Sequence, residues 1–537
     1  MIDKSASDLP ATSPSRVKTI TERIILFSLV MYAIFASHSI ALTQGAYLLG
    51  LIAWGVQLFA SRRFRQSRTP VDIAIFGFFA CCVVSSFLSY VPLVSIKGLR
   101  SPAFFFAFYF VCHKIPSVRF ARLLGIALIA SCMINVAYSA GQVAVGRGVR
   151  IDAIRPDSPL ARHNLQVGDV ILEADGRTVN SVEEILHMVD SQRGRLRIKY
   201  QRNETVIDTL VSRRAIKRSP GEGDDQLGIT ASKGRNFRVS GFYSHYETYA
   251  EVLQLIGALA VGMLIAHPNK RTKQGLLLWA SSILIAGTLI LTSTRAAITG
   301  LALAVAVMAI ASARRRAVIA ATVGILILIP IAILALEHSR GPSIFDPNEG
   351  STTYRLEVWR EALTLIKAHP LVGIGKGSEG ELKDRLGLYD NGRLPPGHFH
   401  STIIQVAAWW GLPALAFYCA FMTIFLLETW KLAKKARDEG QNEIWGLALG
   451  GIGAILAFNV SSLVHFNFGD GEVVMTFWFL TGLVFAIRRL RLQSPVQSKR
   501  ERTQAPPLKK GLDRNQPPPQ EAVSESSFRA AGARRNS

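Results

Sequence analysis

Residues 351–413 read STTYRLEVWREALTLIKAHPLVGIGKGSEG, then a polar stretch, then PPGHFHSTIIQVAAWWGLP. This is the longest polar interruption in the second half of an otherwise apolar chain, and it carries His369, His398 and His400. His400 stands just before an apolar helix start, with Ser401 as a plausible cap. A neutral imidazole there could take a proton from a hydroxyl. A structural histidine at an interfacial helix end fits the same spacing, and His398 is the rival two residues earlier. His369 lies in HPLVGIG, where Pro370, Gly373 and Gly375 make a tight turn, and reads as structural. Arg355, Glu357, Arg360 and Glu361 repeat at helical spacing and could pair on one helix face. Two more cations come from distant stretches: Arg238 in FRVSGFYSHYETYA and Arg295 in LTSTRAAITGLALA. Taken singly, Arg295 reads as a snorkelling side chain and Arg238 as the end of a basic linker. Together they would set permanent, fork-shaped cations at one face of a membrane, suited to a lipid-linked diphosphate.

The elements that must position these groups are membrane helices. The 537 residues are 49% hydrophobic and only 18% charged, and the apolar residues are segregated. They gather in runs of roughly 17–23, the length that crosses a bilayer. The fold class expected is a polytopic α-helical membrane protein of about twelve transmembrane helices. Residues 1–23 form a polar cytoplasmic tail without a cleavable signal peptide. Residues 24–145 hold helices one to five, 233–336 hold six to nine, and 412–490 hold ten to twelve. Residues 337–411 form a large loop, and 491–537 a disordered basic cytoplasmic tail. The net charge of +23 sits in short clusters at the ends of apolar runs, not in a nucleic-acid-binding stripe. Those clusters follow the even-numbered runs, which places both termini in the cytoplasm and both large loops outside it. Five cysteines, all inside apolar runs, show neither disulfide nor zinc spacing.

Residues 146–232 interrupt the membrane pattern. Alternating apolar residues predict strands at 149–154, 170–174, 196–201 and 206–211, with short helices at 158–163 and 181–189. Asp175-Gly176 supplies a turn. SPLARHNLQVGDVILEADGRTV resembles bacterial PDZ domains, and DQLGITAS resembles their final strand and carboxylate-binding loop. The resemblance implies an inserted α+β domain on the periplasmic side, with Leu227, Gly228 and Ile229 binding a peptide of a protein partner. A PDZ fold serving as a spacer, or docking on its own membrane domain, fits equally. Site-2 proteases combine PDZ and membrane helices but need His-Glu-x-x-His for zinc. That motif is absent, as is Gly-x-Ser-x-Gly.

STRAAITGLAL, YRLEVWREALTLIKAHPLVGIGKG and the histidine before the helix leading to Gly-Leu-Pro, in that order, resemble the O-antigen ligase and polymerase superfamily. The family often shows Arg, Gly-Phe and then Asn or His before span six, here Arg238, Gly241-Phe242 and His245. Its usual His-Asn is here His400-Ser401. The resemblance implies a multi-pass protein of the bacterial inner membrane with its active site on the periplasmic side. It implies inverting, metal-independent transfer of a glycan, with no cofactor, from an undecaprenyl-diphosphate donor to a hydroxyl of a lipid, glycan or protein acceptor. Carried over by position, Arg238 and Arg295 bind the diphosphate and His400 is the catalytic base. His398, His245, Arg355 and Arg360 are secondary site candidates. Two other classes compete: a polytopic transporter or flippase, which would show internal repeats and mid-span charges, and an envelope assembly scaffold working through its PDZ block.

Overall fold

The computed structural model describes residues 16–504, apart from 62–66, 192, 203–204, 235–237, 317, 321, 325–349, 386 and 395–396. The N-terminal helices are α1 (Arg16–Phe35), α2 (Ile40–Ser61), α3 (Asp72–Phe87), α4 (Pro92–Gly98), α5 (Phe106–Lys114) and α6 (Val118–Val145). A sheet domain follows, then α8 (Tyr246–Ala266), α9 (Lys273–Leu291) and α10 (Arg295–Ala311). After them come α11 (Gly350–Ala368), α12 (Thr402–Asp438), α13 (Asn442–Ser462) and α14 (Gly471–Gln504).

Among the described residues, seven helices are long and apolar enough to cross a membrane: α2, α6, α8, α9, α12, α13 and the first part of α14. The shortfall from the expected twelve has local reasons. The expected first span, 24–42, runs across a turn, because α1 stops at Phe35 and α2 begins at Ile40. Spans three and eight fall on the shorter apolar helices α3 and α10. Span four, expected at 101–112, is a 3-10 turn followed by the nine residues of α5. Span nine, 317–336, lies mostly outside the described residues.

The inner layer is α8 against α13. Both are buried along most of their length, and they meet backbone to backbone. A Cβ added at Gly262 would run into the backbone of Gly450, so neither position has room for a side chain. Small residues at a crossing give membrane helices dispersion contact where the hydrophobic effect offers none.

The site depends on an interruption in α12. Gly411 leaves helical geometry at φ +83°, and Pro413 lacks an amide proton. Backbone groups freed inside an apolar region need protein partners. The HPLVGIG segment supplies them: Ile374 and Gly375 donate to the Ala408 and Trp409 carbonyls at 2.9 and 2.8 Å, and Leu412 donates to the Pro370 carbonyl at 2.7 Å. The glycine-rich turn read as structural is what anchors the first turns of α12. The His369 ring bonds the Tyr90 hydroxyl at 3.0 Å on the surface, and its carbonyl accepts the Gly373 amide at 3.0 Å within the turn.

The inserted domain contains β1 (Val149–Ile154), β2 (Val170–Ala174), β3 (Arg177–Thr178), α7 (Val182–Ser191), β4 (Arg195–Arg202), β5 (Thr205–Ser212) and β6 (Ile229–Lys233). The sheet order is β5-β4-β2-β1-β6, with β3 on β2. Asp175 and Gly176 both take positive φ, as a two-residue hairpin turn requires. The expected helix at 158–163 is only a 3-10 turn, Ala161–His163. β6 is an edge strand paired antiparallel to β1. The segment Leu227–Gly228–Ile229 leads into it. Ser158 Oγ donates to the Leu227 carbonyl at 2.6 Å, and the Arg155 amide to the Gly228 carbonyl at 2.9 Å.

Candidate functional site

A cavity of about 270 Å³ is lined by His245, Glu247, Thr248, Glu251, His398, His400, His465, Phe466, Asn467 and Asp470. Three stretches far apart in the chain build it. The first turns of α8 bring His245 to Glu251. The segment before α12 brings His398 and His400. The connection between α13 and α14 brings His465 to Asp470.

The His398–His400 segment is held from all sides. Trp359 on α11 donates its indole N–H to the Phe399 carbonyl at 2.7 Å. The Phe399 amide donates to Gln405 Oε1 at 2.7 Å, and Phe399 is fully buried. Ser401 caps α12 through the Ile404 amide. The Thr402 amide donates to the His465 carbonyl at 3.0 Å and ties this segment to the third one. His400 takes φ +47°, a left-handed conformation costly for a residue with a Cβ. Its ring lies 4.1 Å from that of His398 and 5.5 Å, edge to face, from Tyr354.

The two histidines are not equivalent. The His400 amide donates to His398 Nδ1 at 3.2 Å. Neutral His398 therefore carries its proton on Nε2 and has no second lone pair to offer. Among the described residues, the buried His400 Nδ1 has no hydrogen-bond partner. Burial, followed by His398 and Arg355, pushes the His400 imidazole down to about 3. His398 is also lowered, first by burial.

His465 behaves in the opposite way. Its ring is nearly buried, with Nδ1 at 2.9 Å from Glu251 Oε1 and Nε2 at 3.8 Å from Glu247 Oε1. Burial opposes its charge, but the bond to Glu251 and the attraction of both carboxylates outweigh that and leave it above its ordinary value. A polar chain continues inward: Asn467 bonds Ser461, Ser462 and Thr402, and Gln254 bonds Ser461 at 2.8 Å. Buried polar groups matched in this way hold a site rigid. Thr248 Oγ1 bonds Asp470 Oδ2 at 2.5 Å, and Asp470 also accepts the Glu472 amide at 3.1 Å.

Of the residues singled out from sequence, His245, His398 and His400 meet in the cavity wall. The Arg238 guanidinium lies over the Tyr246 ring at 4.3 Å, beside His245. Arg295 is the first residue of α10. The Val239 amide donates to the Leu291 carbonyl at 3.2 Å, so Arg238's segment is bonded to the turn that leads to Arg295. Arg355 acts electrostatically on His398, His400 and His465. Arg360 faces solvent and pairs with Glu357 at 3.2 Å. Glu361 turns the other way and accepts the Tyr389 and Asp390 amides, both at 2.8 Å.

Glu247, Glu251, His465 and Asp470 were not singled out. A signal for them existed: two glutamates in the apolar run YETYAEVLQLIGALAV, and a histidine and an aspartate in the short gap SSLVHFNFGDG. Ionisable residues inside or beside a membrane segment are functional candidates by default.

Residues 280–419 match the family model for O-antigen ligase, and residues 124–212 match that for the PDZ domain. No curated protein matches the chain. The first match takes in Arg295, Arg355, Arg360, His398 and His400, while Arg238 and the wall residues of α8 fall outside it. The second begins within α6 and stops before β6, which completes the sheet. With the long apolar helices, these matches support a multi-pass membrane enzyme of the O-antigen ligase or polymerase type that carries a PDZ domain.

Proposed function

From those two matches, we propose that this protein transfers a glycan from undecaprenyl diphosphate to an acceptor hydroxyl at the periplasmic face of the inner membrane. The observation that carries this reading is the meeting of His245, His398 and His400 in one cavity, with Arg238 next to it. Arg238 and Arg295 bind the diphosphate. His400 takes the hydroxyl proton as the acceptor oxygen bonds to the sugar's anomeric carbon. The bond from that carbon to the phosphate oxygen breaks, and its electron pair leaves with the diphosphate. Attack from the face opposite the leaving group inverts the configuration, and arginine rather than a metal neutralises the departing charge. The clustering of basic residues at the ends of apolar runs favours a topology with 146–232 and 337–411 on the periplasmic side and both termini in the cytoplasm. The direct test is purified protein with a polyprenyl-diphosphate glycan: product on an acceptor supports the reading, and intact donor at every acceptor refutes it.

The pH dependence follows from the histidines. His400 stays neutral far below the ordinary imidazole range, so kcat/KM should show no acid limb near pH 6.5. His465 holds its charge below its raised value and loses it as pH rises through that value. Glu251 and Glu247 on α8 hold that charge, while Arg355 on α11 opposes it. Glu251→Gln should therefore move the alkaline limb to lower pH. A limb unmoved by that change would belong to another group.

The PDZ domain recruits a protein partner or a protein acceptor terminus, with Leu227, Gly228 and Ile229 at its peptide-binding edge. Deleting 148–232 should lower glycan output, or remove a partner that the full chain retains on purification. If output and partner recovery both stayed at the full-chain level, the domain would be a spacer.

A further inference from the structure

We propose that Glu247 is an acceptor-binding residue, whose carboxylate accepts a hydrogen bond from a sugar hydroxyl next to the one that reacts. This rests on the glycan-transfer reading above. Three carboxylates line the cavity, and two of them are hydrogen-bonded. Glu251 is buried against His465 Nδ1 at 2.9 Å. Asp470 accepts from Thr248 and from the Glu472 amide. Glu247 is different. Its side chain is 29% exposed, and its Oε1 stands 3.8 Å from His465 Nε2, beyond hydrogen-bond reach. Among the described residues its carboxylate accepts no hydrogen bond, and its nearest cation is His465.

An ionised carboxylate only accepts hydrogen bonds, and it has several lone pairs for donors such as sugar hydroxyls. It also repels phosphate. A donor diphosphate lying along this wall would face three carboxylates, Glu247, Glu251 and Asp470, against the single cation of His465, whereas Arg238 stands outside the lining, over the Tyr246 ring. The cavity therefore suits the neutral, hydroxyl-rich acceptor, and the diphosphate stays outside it with the arginines. His465 is the positioning residue. Anchored by Glu251, it presents Nε2 toward Glu247 and biases where that carboxylate points. The cavity volume is at the small end for a ligand pocket, which suits one or two sugar rings rather than a long glycan.

The test uses the full chain purified in detergent. The donor is undecaprenyl-diphosphate glycan, and the acceptor is a phosphate-free oligosaccharide released from the producing cell's surface polysaccharide. Glu247→Ala is expected to raise the acceptor KM about tenfold or more, the scale of a hydrogen bond to a charged group. Glu247→Gln, the same size, should fall between. Donor KM and the binding of undecaprenyl diphosphate should stay unchanged or tighten. An unchanged acceptor KM overturns the proposal, as does weaker undecaprenyl diphosphate binding by a Glu247→Gln protein that unfolds at the wild-type temperature. A wild-type protein that transfers to no acceptor refutes the parent reading itself, and this inference with it.

Discussion

Replacing Arg295 or Arg238 with alanine is expected to lower the rate of glycan transfer by about two to three orders of magnitude, the usual cost of removing one preorganised partner of a developing anion. As the bond from sugar to phosphate breaks, negative charge grows on the diphosphate. A guanidinium is permanently ionised and offers parallel N–H donors, so it meets that charge without reorganising. Arg238 is steadied by the Tyr246 ring, and the Val239–Leu291 hydrogen bond joins its segment to the turn before Arg295. Lysine at either position keeps the charge but loses the fork, and should recover only part of the rate. If the two arginines grip one diphosphate, the double variant should cost much less than the sum of the singles. The readout is turnover of a polyprenyl-diphosphate glycan by variants recovered from the membrane in wild-type amount. A scaffold or a flippase would form no transfer product in this assay, with or without the guanidinium. Full turnover in Arg295→Ala would remove it from the reaction.

The second large effect is at His400. Loss of a general base costs typically two to four orders of magnitude in turnover. The choice of substitute matters because the backbone here is left-handed, at φ +47°. Asparagine tolerates that conformation better than most residues, so His400→Asn removes the imidazole with the least disturbance of the segment. The surrounding bonds from Trp359 and Gln405 go to Phe399 and should persist. His398→Gln is expected to cost less, because His398 Nδ1 is occupied by the His400 amide and its remaining nitrogen carries a proton. A larger loss at His398 than at His400 would exchange their roles. The low proton affinity of His400 does not count against it. Burial and neighbouring positive charge produce it, and a bound diphosphate would supply negative charge from the opposite direction.

Local pattern was enough for much of this molecule. Strands β1 and β2 of the inserted domain lie where alternation puts them, because a sheet with one buried face has a two-residue period. The Ser401 cap, the HPLVGIG turn and the long apolar helices were legible for the same reason: each depends on residues within a turn or two of each other. Span limits were less legible. Hydropathy marks where apolar residues lie but not where a helix breaks, so the turn between α1 and α2 falls inside the expected first span, and the expected start of span ten at 412 is an interruption within a helix that begins at Thr402.

Composition and motif order determined that this chain crosses a membrane, carries a PDZ domain and holds arginines and histidines at helix ends. Only the fold decided which of them meet. Arg360 and Glu361 sit on the same helix as Arg355, yet one faces solvent with Glu357 and the other holds a distant turn. Glu247, Glu251 and His465 belong to no motif, and they form the wall of a cavity because α8 packs on α13 through bare glycine backbone. The physical reason is range: propensity and hydropathy act over a few residues, whereas an ion pair between residues 251 and 465 exists only once two helices have met.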